Sequence, residues 1–466
     1  MASSTRTSLR PAVSSRRPKE QPQPGPLPAP SRAELAVAFA QALDLAEGRQ
    51  PGHAARVCYI ALNLAQGLDL EPDDLRVVFY GALLHDAGAA PAAAEACRLL
   101  NLSEETLFAA RPGQSPQQLA LEIAPSNATS VVEVLHAHAA RGGRVARALG
   151  FDAPVQRAIA AHHERWDGHG YPRALKGDAV PIAGQLIAAG DLVESLIAAE
   201  PSPLTARRNL VSALAEHAGR ALDPALAGLA RHLARSDAFW LGLHNDVLVP
   251  ELSASCPDAS LEAGRSPADL ETFAAVFAGL ADSKGEHTAY HGQRTAELAD
   301  RLGEALGLAG ERRQLLRIAA LIHDVGLLGV PARIMAKPDI LSLAEMEAMR
   351  KHPAHSQLVL EALAGLEEVA RWAGAHHERP DGKGYPEMLD EQAVPLEARI
   401  IALADTYVAL TSTRPYRRAL SHEDAQQVLL GGAGTQLDPE LVQLFSSMPR
   451  PQPRSSRSAP RSRRTR

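Results

Sequence analysis

Two stretches of the chain are nearly identical, HHERWDGHGYP at residues 162–172 and HHERPDGKGYP at residues 376–386, and they decide its architecture. Each begins with two adjacent histidines, which cannot both lie on one face of a regular helix. Each continues into an acidic, glycine-rich turn, where the backbone can approach a ligand closely. A phrase repeated at this length predicts a larger internal repeat.

The spacing of histidine and aspartate around these phrases defines the repeat. His53 and His85 are 32 residues apart, as are His291 and His323. From the third histidine to the histidine pair there are 24 residues in both copies, and from that pair to a later aspartate there are 28. The first copy also contains 24 extra residues, 107–130, which we interpret as a loop. The chain is therefore a tandem duplication.

Composition and hydrophobic pattern predict an all-α protein. Hydrophobic residues make up 45% of the 466 positions and aromatic residues only 4%, which is typical of Ala/Leu-rich helices. Apolar residues recur every three to four positions, and no segment alternates with a period of two. We expect two tandem helical metal-binding domains between disordered tails, with the limits 1–32 (tail), 33–245 (first domain), 246–266 (linker), 267–448 (second domain) and 449–466 (basic tail).

Charge and cysteine content exclude several classes of protein. A net charge of -6 argues against a surface that coats nucleic acid, and the arginine-rich C-terminal tail has no interleaved aromatic residues. Cys58, Cys97 and Cys256 are scattered without metal or disulfide spacing. The N-terminal segment has no apolar core for a signal peptide, and no apolar run reaches membrane-spanning length. We therefore expect a soluble, cytoplasmic protein.

Each copy carries five histidines and two aspartates at matched positions. In the first copy these are His53, His85, Asp86, His138, His162, His163 and Asp191, and in the second His291, His323, Asp324, His352, His376, His377 and Asp405. Seven nitrogen and oxygen ligands suit two octahedral ions better than one tetrahedral zinc ion. Imidazole and carboxylate without thiolate favour iron or manganese over zinc or magnesium. His136 does not reproduce the spacing, and we interpret it as structural.

The adjacent His-Asp pair indicates the chemistry of such a centre. Its aspartate can bridge two ions while the neighbouring histidine binds one of them. Two ions can then hold a bridging hydroxide and neutralise the charge on a phosphoryl group under attack. The pattern therefore predicts hydrolysis of a phosphoester.

Together these motifs resemble the HD-GYP branch of the HD metal-dependent phosphohydrolases. The resemblance rests on the His-Asp pair, the third histidine, HHExxDGxGYP and the later aspartate, all matched in both copies. The second copy adds VPARIMAKPDIL at 330–341 and ARIIALADTYVALTSTRPYR at 398–417. The resemblance implies HD-type all-α domains that bind two or three ions, and phosphodiesterase activity on a cyclic dinucleotide, most commonly cyclic di-GMP.

The same resemblance assigns roles to residues of the second copy. The expected catalytic residues are His323, Asp324 and Asp405. The expected substrate-binding residues are Arg379, Asp381, Gly382, Gly384, Tyr385, Pro386, Arg414, Arg417 and Lys337. His287 lies four residues before His291 and is a candidate ligand of a third ion, whereas the first copy has Arg49 at that position.

Both copies depart from the family pattern at the lysine of HDxGK, which is Ala89 in the first copy and Leu327 in the second. The first copy has Glu200 where the second has Arg414, so it lacks the arginine-rich phrase. We expect the second copy to be the working site and the first to be weaker, regulatory or inactive. The alternatives are a phosphohydrolase of another nucleotide or phosphoester, and a non-catalytic sensor of a nucleotide or a partner. Protein partners and a homodimer also stay open.

Overall fold

The computed structural model describes residues 30–49, 51–108, 115–244, 248–257, 267–285, 290–414 and 417–451. These residues form helices without any β-strand, which confirms the all-α expectation. None of the described helices is both long enough and apolar enough to cross a membrane. His287 and most of both predicted tails lie outside the described residues.

The helices run in the same order in the two copies. Those of the first copy are α1 (Arg32–Ala46), α2 (His53–Ala65), α3 (Pro72–Leu83), α4 (Ala89–Leu100), α5 (Glu104–Leu107), α6 (Pro116–Ile123), α7 (Ala128–Ala148), α8 (Ala153–Ala161), α9 (Ile182–Ala198), α10 (Pro203–His217), α11 (Pro224–Leu233) and α12 (Asp237–Leu243). After α13 (Leu248–Ala254), those of the second copy are α14 (Pro267–Ser283), α15 (His291–Ala305), α16 (Gly310–Ile322), α17 (Ala332–Met335), α18 (Leu343–Met349), α19 (His352–Glu361), α20 (Glu367–Gly374), α21 (Leu396–Leu410), α22 (His422–Gly432) and α23 (Pro439–Ser447). Short 3₁₀ helices lie at Pro125–Asn127, Gly177–Ala179 and Val325–Gly329.

Helix α1 is shared between the two copies. It begins with a capping box, in which the Ser31 hydroxyl accepts from the Glu34 N–H and the Glu34 carboxylate accepts from the Ser31 N–H. Its residues are apolar on nearly every side, and almost all of them are buried. The Phe39 ring stacks on Phe277 of α14, with centroids 4.3 Å apart. One continuous hydrophobic core therefore runs through both copies.

A buried ion pair also crosses between the copies. The Lys284 Nζ, just after α14, lies 3.1 Å from the Glu104 carboxylate of α5 and donates to the Leu328 carbonyl at 2.6 Å. The same carboxylate accepts from the Ala332 N–H at 2.7 Å. The first copy thus contacts the turn that directly follows the second His-Asp pair.

The interpretation of residues 107–130 as a loop is wrong. Where the structure describes this insertion, it contains α6 and the first residues of α7. Ser115 and Gln118 form a capping box at the start of α6, and Leu119 and Ile123 pack into a small second core. Within the predicted linker, α13 also forms and buries Leu248 and Leu252. The domain limits themselves stay a prediction.

Candidate metal centres

The ends of helices bring the second set of ligands together. His291 is the first residue of α15, and His352 is the first residue of α19. His323 directly follows α16, and His376 follows α20 after one residue. Asp405 projects from the middle of α21. Residues far apart in sequence therefore meet where these helices converge.

Asp324 lies at the centre of this second set. Its Oδ2 atom is 3.6 Å from the His291 Nε2 and 3.3 Å from the His323 Nε2. Its Oδ1 atom is 3.2 Å from the His352 Nε2 and 3.7 Å from the His376 Nε2. One carboxylate thus presents each of its oxygens to a different pair of imidazoles, which is the arrangement of a ligand that bridges two ions.

The remaining ligands of the second set complete two groups. The ligating atoms of His291, His323, Asp324 and Asp405 all lie within 4.8 Å of one another, and those of His352, His376 and His377 form the other group. The Asp405 carboxylate lies 2.9 Å from the His291 Nε2. All seven residues expected from the spacing are therefore brought together.

The first set repeats this geometry around Asp86. Its Oδ2 atom is 2.9 Å from the His85 Nε2 and 4.0 Å from the His53 Nε2, while its Oδ1 atom is 3.4 Å from the His138 Nε2 and 3.7 Å from the His162 Nε2. The ligand groups are Asp86, His138, His162, His163 and His53, His85, Asp86. The Asp191 carboxylate lies 3.6 Å from the His53 Nε2. Both copies therefore assemble a candidate metal centre.

The hydrogen bonds of the imidazoles fit metal binding. The Nδ1 atoms of His323, His352 and His376 each bond the backbone carbonyl three residues earlier, at 2.5–2.8 Å. This leaves the Nε2 lone pair facing the centre. Within the described structure, the buried Nε2 atoms of His53, His85, His138, His162, His291 and His323 form no well-aligned hydrogen bond, although the nearest carboxylate oxygens lie 2.9–3.7 Å away. Ions bound between these nitrogens and carboxylates would satisfy both, whereas leaving buried polar atoms without good hydrogen bonds is unfavourable.

Electrostatics divide the imidazoles into two kinds. Burial alone would lower the pKa of His323, but the Asp324 carboxylate outweighs it and raises the pKa to about 9. Burial and the nearby His352 lower the pKa of His377 to about 4, so this ring is neutral at pH 7. Despite burial, the pKa of Asp324 is held well below its usual range by His323 and His352. The Asp324 carboxylate is therefore ionised, and an ion bound at His323 would displace the proton of that ring.

Steric contacts explain why both copies have glycine in the HDxG motif. A Cβ atom on Gly326 would collide with the carbonyl oxygen of His352, and one on Gly88 would collide with that of His138. The His-Asp turn can approach the helix of the third histidine only because this position lacks a side chain. Ser356 reinforces the contact, since its hydroxyl donates to the His323 carbonyl at 2.6 Å.

The GYP turn is held mainly by its own residues. A Cβ atom on Gly384 would overlap the backbone of Glu378, whose carboxylate accepts from the N–H groups of Glu387 and Leu389. The Arg379 guanidinium forms a two-point ion pair with Asp381, and Gly382 has a φ of 69°. The turn presents the Tyr385 ring, stacked on the ligand His377 with centroids 4.8 Å apart, and leaves Pro386 exposed. Sequence reasoning missed Glu378, although the HHE of both copies signals it.

Two of the other expected substrate-binding cations have partners within the protein. The Arg417 guanidinium donates to the carbonyls of Ala409 and Leu410 at the end of α21. The Lys337 Nζ lies 2.6 Å from the Glu345 carboxylate. Phosphate contacts from these residues would compete with those partners. The Arg414 N–H donates to the Arg417 carbonyl, so Arg414 lies in the same turn.

The two centres differ in the groups that orient their first histidine. In the first copy the Glu194 carboxylate lies 2.8 Å from the His53 Nδ1 and also pairs with Arg56. In the second copy Val408 takes the place of this acid, and the buried His291 Nδ1 has no hydrogen-bond partner among the described residues. Among the described residues, only the first centre therefore has a carboxylate that orients its first histidine.

The first centre is also more enclosed. The Phe108 ring of the insertion lies edge-on to His138, with centroids 5.5 Å apart. Tyr171 is buried between His136 and His163, with ring centroids at 5.4 and 4.5 Å. The Asp86 side chain is 8% exposed, against 18% for Asp324. The first centre is therefore more closely covered around Asp86 and Tyr171, whereas the Asp191 side chain, 20% exposed, is no more buried than that of Asp405, at 16%.

Comparisons with known proteins agree with this architecture. A family model described as HD domain matches residues 92–226 and 275–441. The chain is 30% identical over 433 residues to 3'3'-cGAMP-specific phosphodiesterase 3 of Vibrio cholerae, covering 88% of this chain and 92% of that protein. It is 29% identical over 402 residues to 3'3'-cGAMP-specific phosphodiesterase 1 of the same organism, covering 84% and 85%.

A solved structure shares the fold of nearly the whole chain. The crystal structure of a cyclic GMP-AMP-specific phosphodiesterase of V. cholerae, V-cGAP3, aligns with a TM-score of 0.64 at 27% identity, and the alignment covers 90% of this chain and 98% of that one. The chain therefore belongs to the HD-GYP family of metal-dependent HD-domain phosphohydrolases, and it carries two copies of the domain.

Proposed function

We infer that this protein hydrolyses a phosphodiester bond of a cyclic dinucleotide at its second metal centre. The observation that carries the inference is the position of Asp324, whose two oxygens face two groups of imidazole nitrogens. The two V. cholerae relatives described above are named for 3'3'-cGAMP, and other relatives are named for cyclic di-GMP. These two cyclic dinucleotides are the substrates that we propose.

Two ions would be held by the second ligand set, His291, His323, Asp324 and Asp405 on one side and His352, His376 and His377 on the other. Iron or manganese suits this set best, because it offers imidazole and carboxylate without thiolate. His287 would add a ligand for a third ion. When bound, such ions supply Lewis acidity that activates water and neutralises phosphoryl charge.

The residues of the chain have separate tasks in this proposal. Asp324 stays ionised at neutral pH and fixes the spacing of the two ligand groups. Asp405 lies 2.9 Å from the His291 Nε2 and completes the first group. The GYP turn places Tyr385 against His377, so that an aromatic face borders the centre where a nucleotide would enter.

A panel of purified substrates tests this function. Protein loaded with manganese, or with iron under anaerobic conditions, is incubated with 3'3'-cGAMP, cyclic di-GMP, mononucleotides and bis(4-nitrophenyl) phosphate. We expect turnover of at least one cyclic dinucleotide, with a linear dinucleotide as the first product. Turnover of mononucleotides alone would support another phosphohydrolase. Metal-loaded protein that cleaves nothing would contradict the proposal.

Leu327, the residue after the HDxG glycine, supports the alternative of a non-catalytic sensor, which requires a separate test. Leu327 replaces the family lysine, and this removes one cation from the neighbourhood of the substrate. If only a Leu327→Lys variant turns over cyclic dinucleotides, while the native chain binds them without cleavage, the native protein is a sensor and not an enzyme.

A further inference from the structure

Arg350 is a cation beside the second centre that the sequence motifs did not single out. It directly follows α18 and precedes the ligand His352 by two residues. Its guanidinium carbon lies 5.4 Å from the centroid of the Tyr385 ring. That ring in turn stacks on the ligand His377. A permanent positive charge therefore lies against the Tyr385 ring, and that ring contacts a residue of the ligand set.

The charge of Arg350 is not neutralised within the described part of the chain. Its side chain is exposed, and its described contact is the face of Tyr385. By contrast, Arg379 is paired with Asp381, and Lys337 is paired with Glu345. The side chain of Arg350 is therefore free to receive an anion while it rests on the ring.

The first copy has His136 at the position of Arg350. This imidazole stacks on Tyr171, with an interplanar angle of 5°, and Tyr171 is buried. The equivalent ring in the second copy, Tyr385, is only half-buried. The permanent cation on an accessible aromatic ring is thus a property of the second centre.

The chemistry of a cyclic dinucleotide suits such a group. The ring contains two phosphodiesters, each with one negative charge, and only one of them can lie at the metal centre at a time. A guanidinium that lies over an aromatic face leaves an edge that can donate two hydrogen bonds to a phosphate. We propose that Arg350 binds the phosphate that is not being cleaved. This inference rests on the function proposed above and assigns a substrate-binding residue to it.

The test compares substrates with two phosphates and with one. Steady-state kinetics of wild type, Arg350→Ala and Arg350→Lys are measured on 3'3'-cGAMP and on bis(4-nitrophenyl) phosphate, which has a single phosphodiester. For Arg350→Ala we expect KM for 3'3'-cGAMP to rise about ten-fold or more, the scale of a lost charge-assisted hydrogen bond. Its kcat should stay near that of wild type, and the one-phosphate substrate should be unaffected. Arg350→Lys should recover part of the loss, because it keeps the charge without the two-point geometry.

Two variants serve as controls. Arg371→Ala removes an exposed arginine of α20, and His136→Ala removes the equivalent side chain of the first copy. Neither should change KM, and the metal content of every variant should equal that of wild type. Equal losses on both substrates, or no loss on 3'3'-cGAMP, would overturn the role of Arg350.

Failure of the proposed function gives a different result. If wild type cleaves no cyclic dinucleotide, its binding of 3'3'-cGAMP is measured by calorimetry on metal-loaded protein. Weaker binding by Arg350→Ala would then retain the phosphate contact and reject only the hydrolysis. Equal binding by both proteins, or binding by neither, would reject the contact as well.

Discussion

The buried pair of Lys284 and Glu104 predicts a large effect of a single substitution at the contact between the two copies. Lys284 is 3% exposed and Glu104 is 5% exposed, so neither charge is solvated by water. Burial lowers the pKa of Lys284 despite the opposing effect of Glu104, which indicates that desolvation outweighs the attraction. A pair of this kind contributes little net stability but is costly to break.

Lys284→Met keeps the aliphatic volume and leaves the Glu104 carboxylate uncompensated. We expect a loss of about 3–5 kcal/mol in the free energy of unfolding, the range measured when one partner of a buried pair is removed. The double variant Glu104→Gln/Lys284→Met leaves no charge at this contact. The side-chain amide oxygen at position 104 can still accept from the Ala332 N–H. It should therefore recover most of the loss.

Urea unfolding of metal-free protein, followed by far-ultraviolet circular dichroism, measures both variants. Arg313→Met is the control, because its pair with Asp300 is partly exposed to water and its loss should cost much less than the loss of a buried partner. If the single and double variants lose the same stability, the effect is one of packing and not of charge, and this reasoning is refuted.

Two further predictions concern the centres. Glu194→Val removes the carboxylate beside His53, so the metal affinity of the first centre should fall about 10–100-fold. Chelator competition in an Asp324→Ala background measures this affinity, and Glu200→Val is the control. Unchanged affinity would contradict the supporting role of Glu194. The raised pKa of His323, about 9 against 6.5 when unfolded, stabilises the metal-free fold below pH 6.5, and this contribution is lost as the pH rises through 9. Manganese must displace that proton, so the affinity of the protein for manganese should rise between pH 6.5 and pH 9. Calorimetry at pH 7.5 in two buffers of different ionisation enthalpy should detect the release of a proton on binding. The absence of proton release would refute this account.

The sequence predicts the ligands well because their identity and spacing are local properties repeated in two copies. His352 begins a helix, whereas His138 lies inside α7, because Pro353 favours a helix start and Ala139 does not. Even so, the two histidines reach equivalent positions. The spacing of ligands therefore survives a change in the helices that carry them.

The partners of the arginine and lysine side chains could not be predicted in the same way. Arg417 donates to carbonyls at the end of α21, and Lys284 meets a carboxylate 180 positions earlier in the chain. Such partners are fixed by tertiary packing, which no local pattern encodes.

The helix α6 was predictable in principle, because Ser115 and Gln118 have the spacing of a capping box. The apolar sides of α1 likewise indicate a helix buried all round.

The hydrolysis of 3'3'-cGAMP and cyclic di-GMP by two matched variants tests the central claim most directly. Asp324→Ala and Asp86→Ala each remove the aspartate that faces both ligand groups of one centre. Both are compared with wild type after manganese loading, with metal content measured on the same samples. We predict that each variant loses metal from its own centre, that Asp324→Ala loses hydrolysis down to the background of metal-free protein, and that Asp86→Ala still turns over substrate. Hydrolysis that survives in Asp324→Ala and disappears in Asp86→Ala would contradict the assignment of the second centre as the working site.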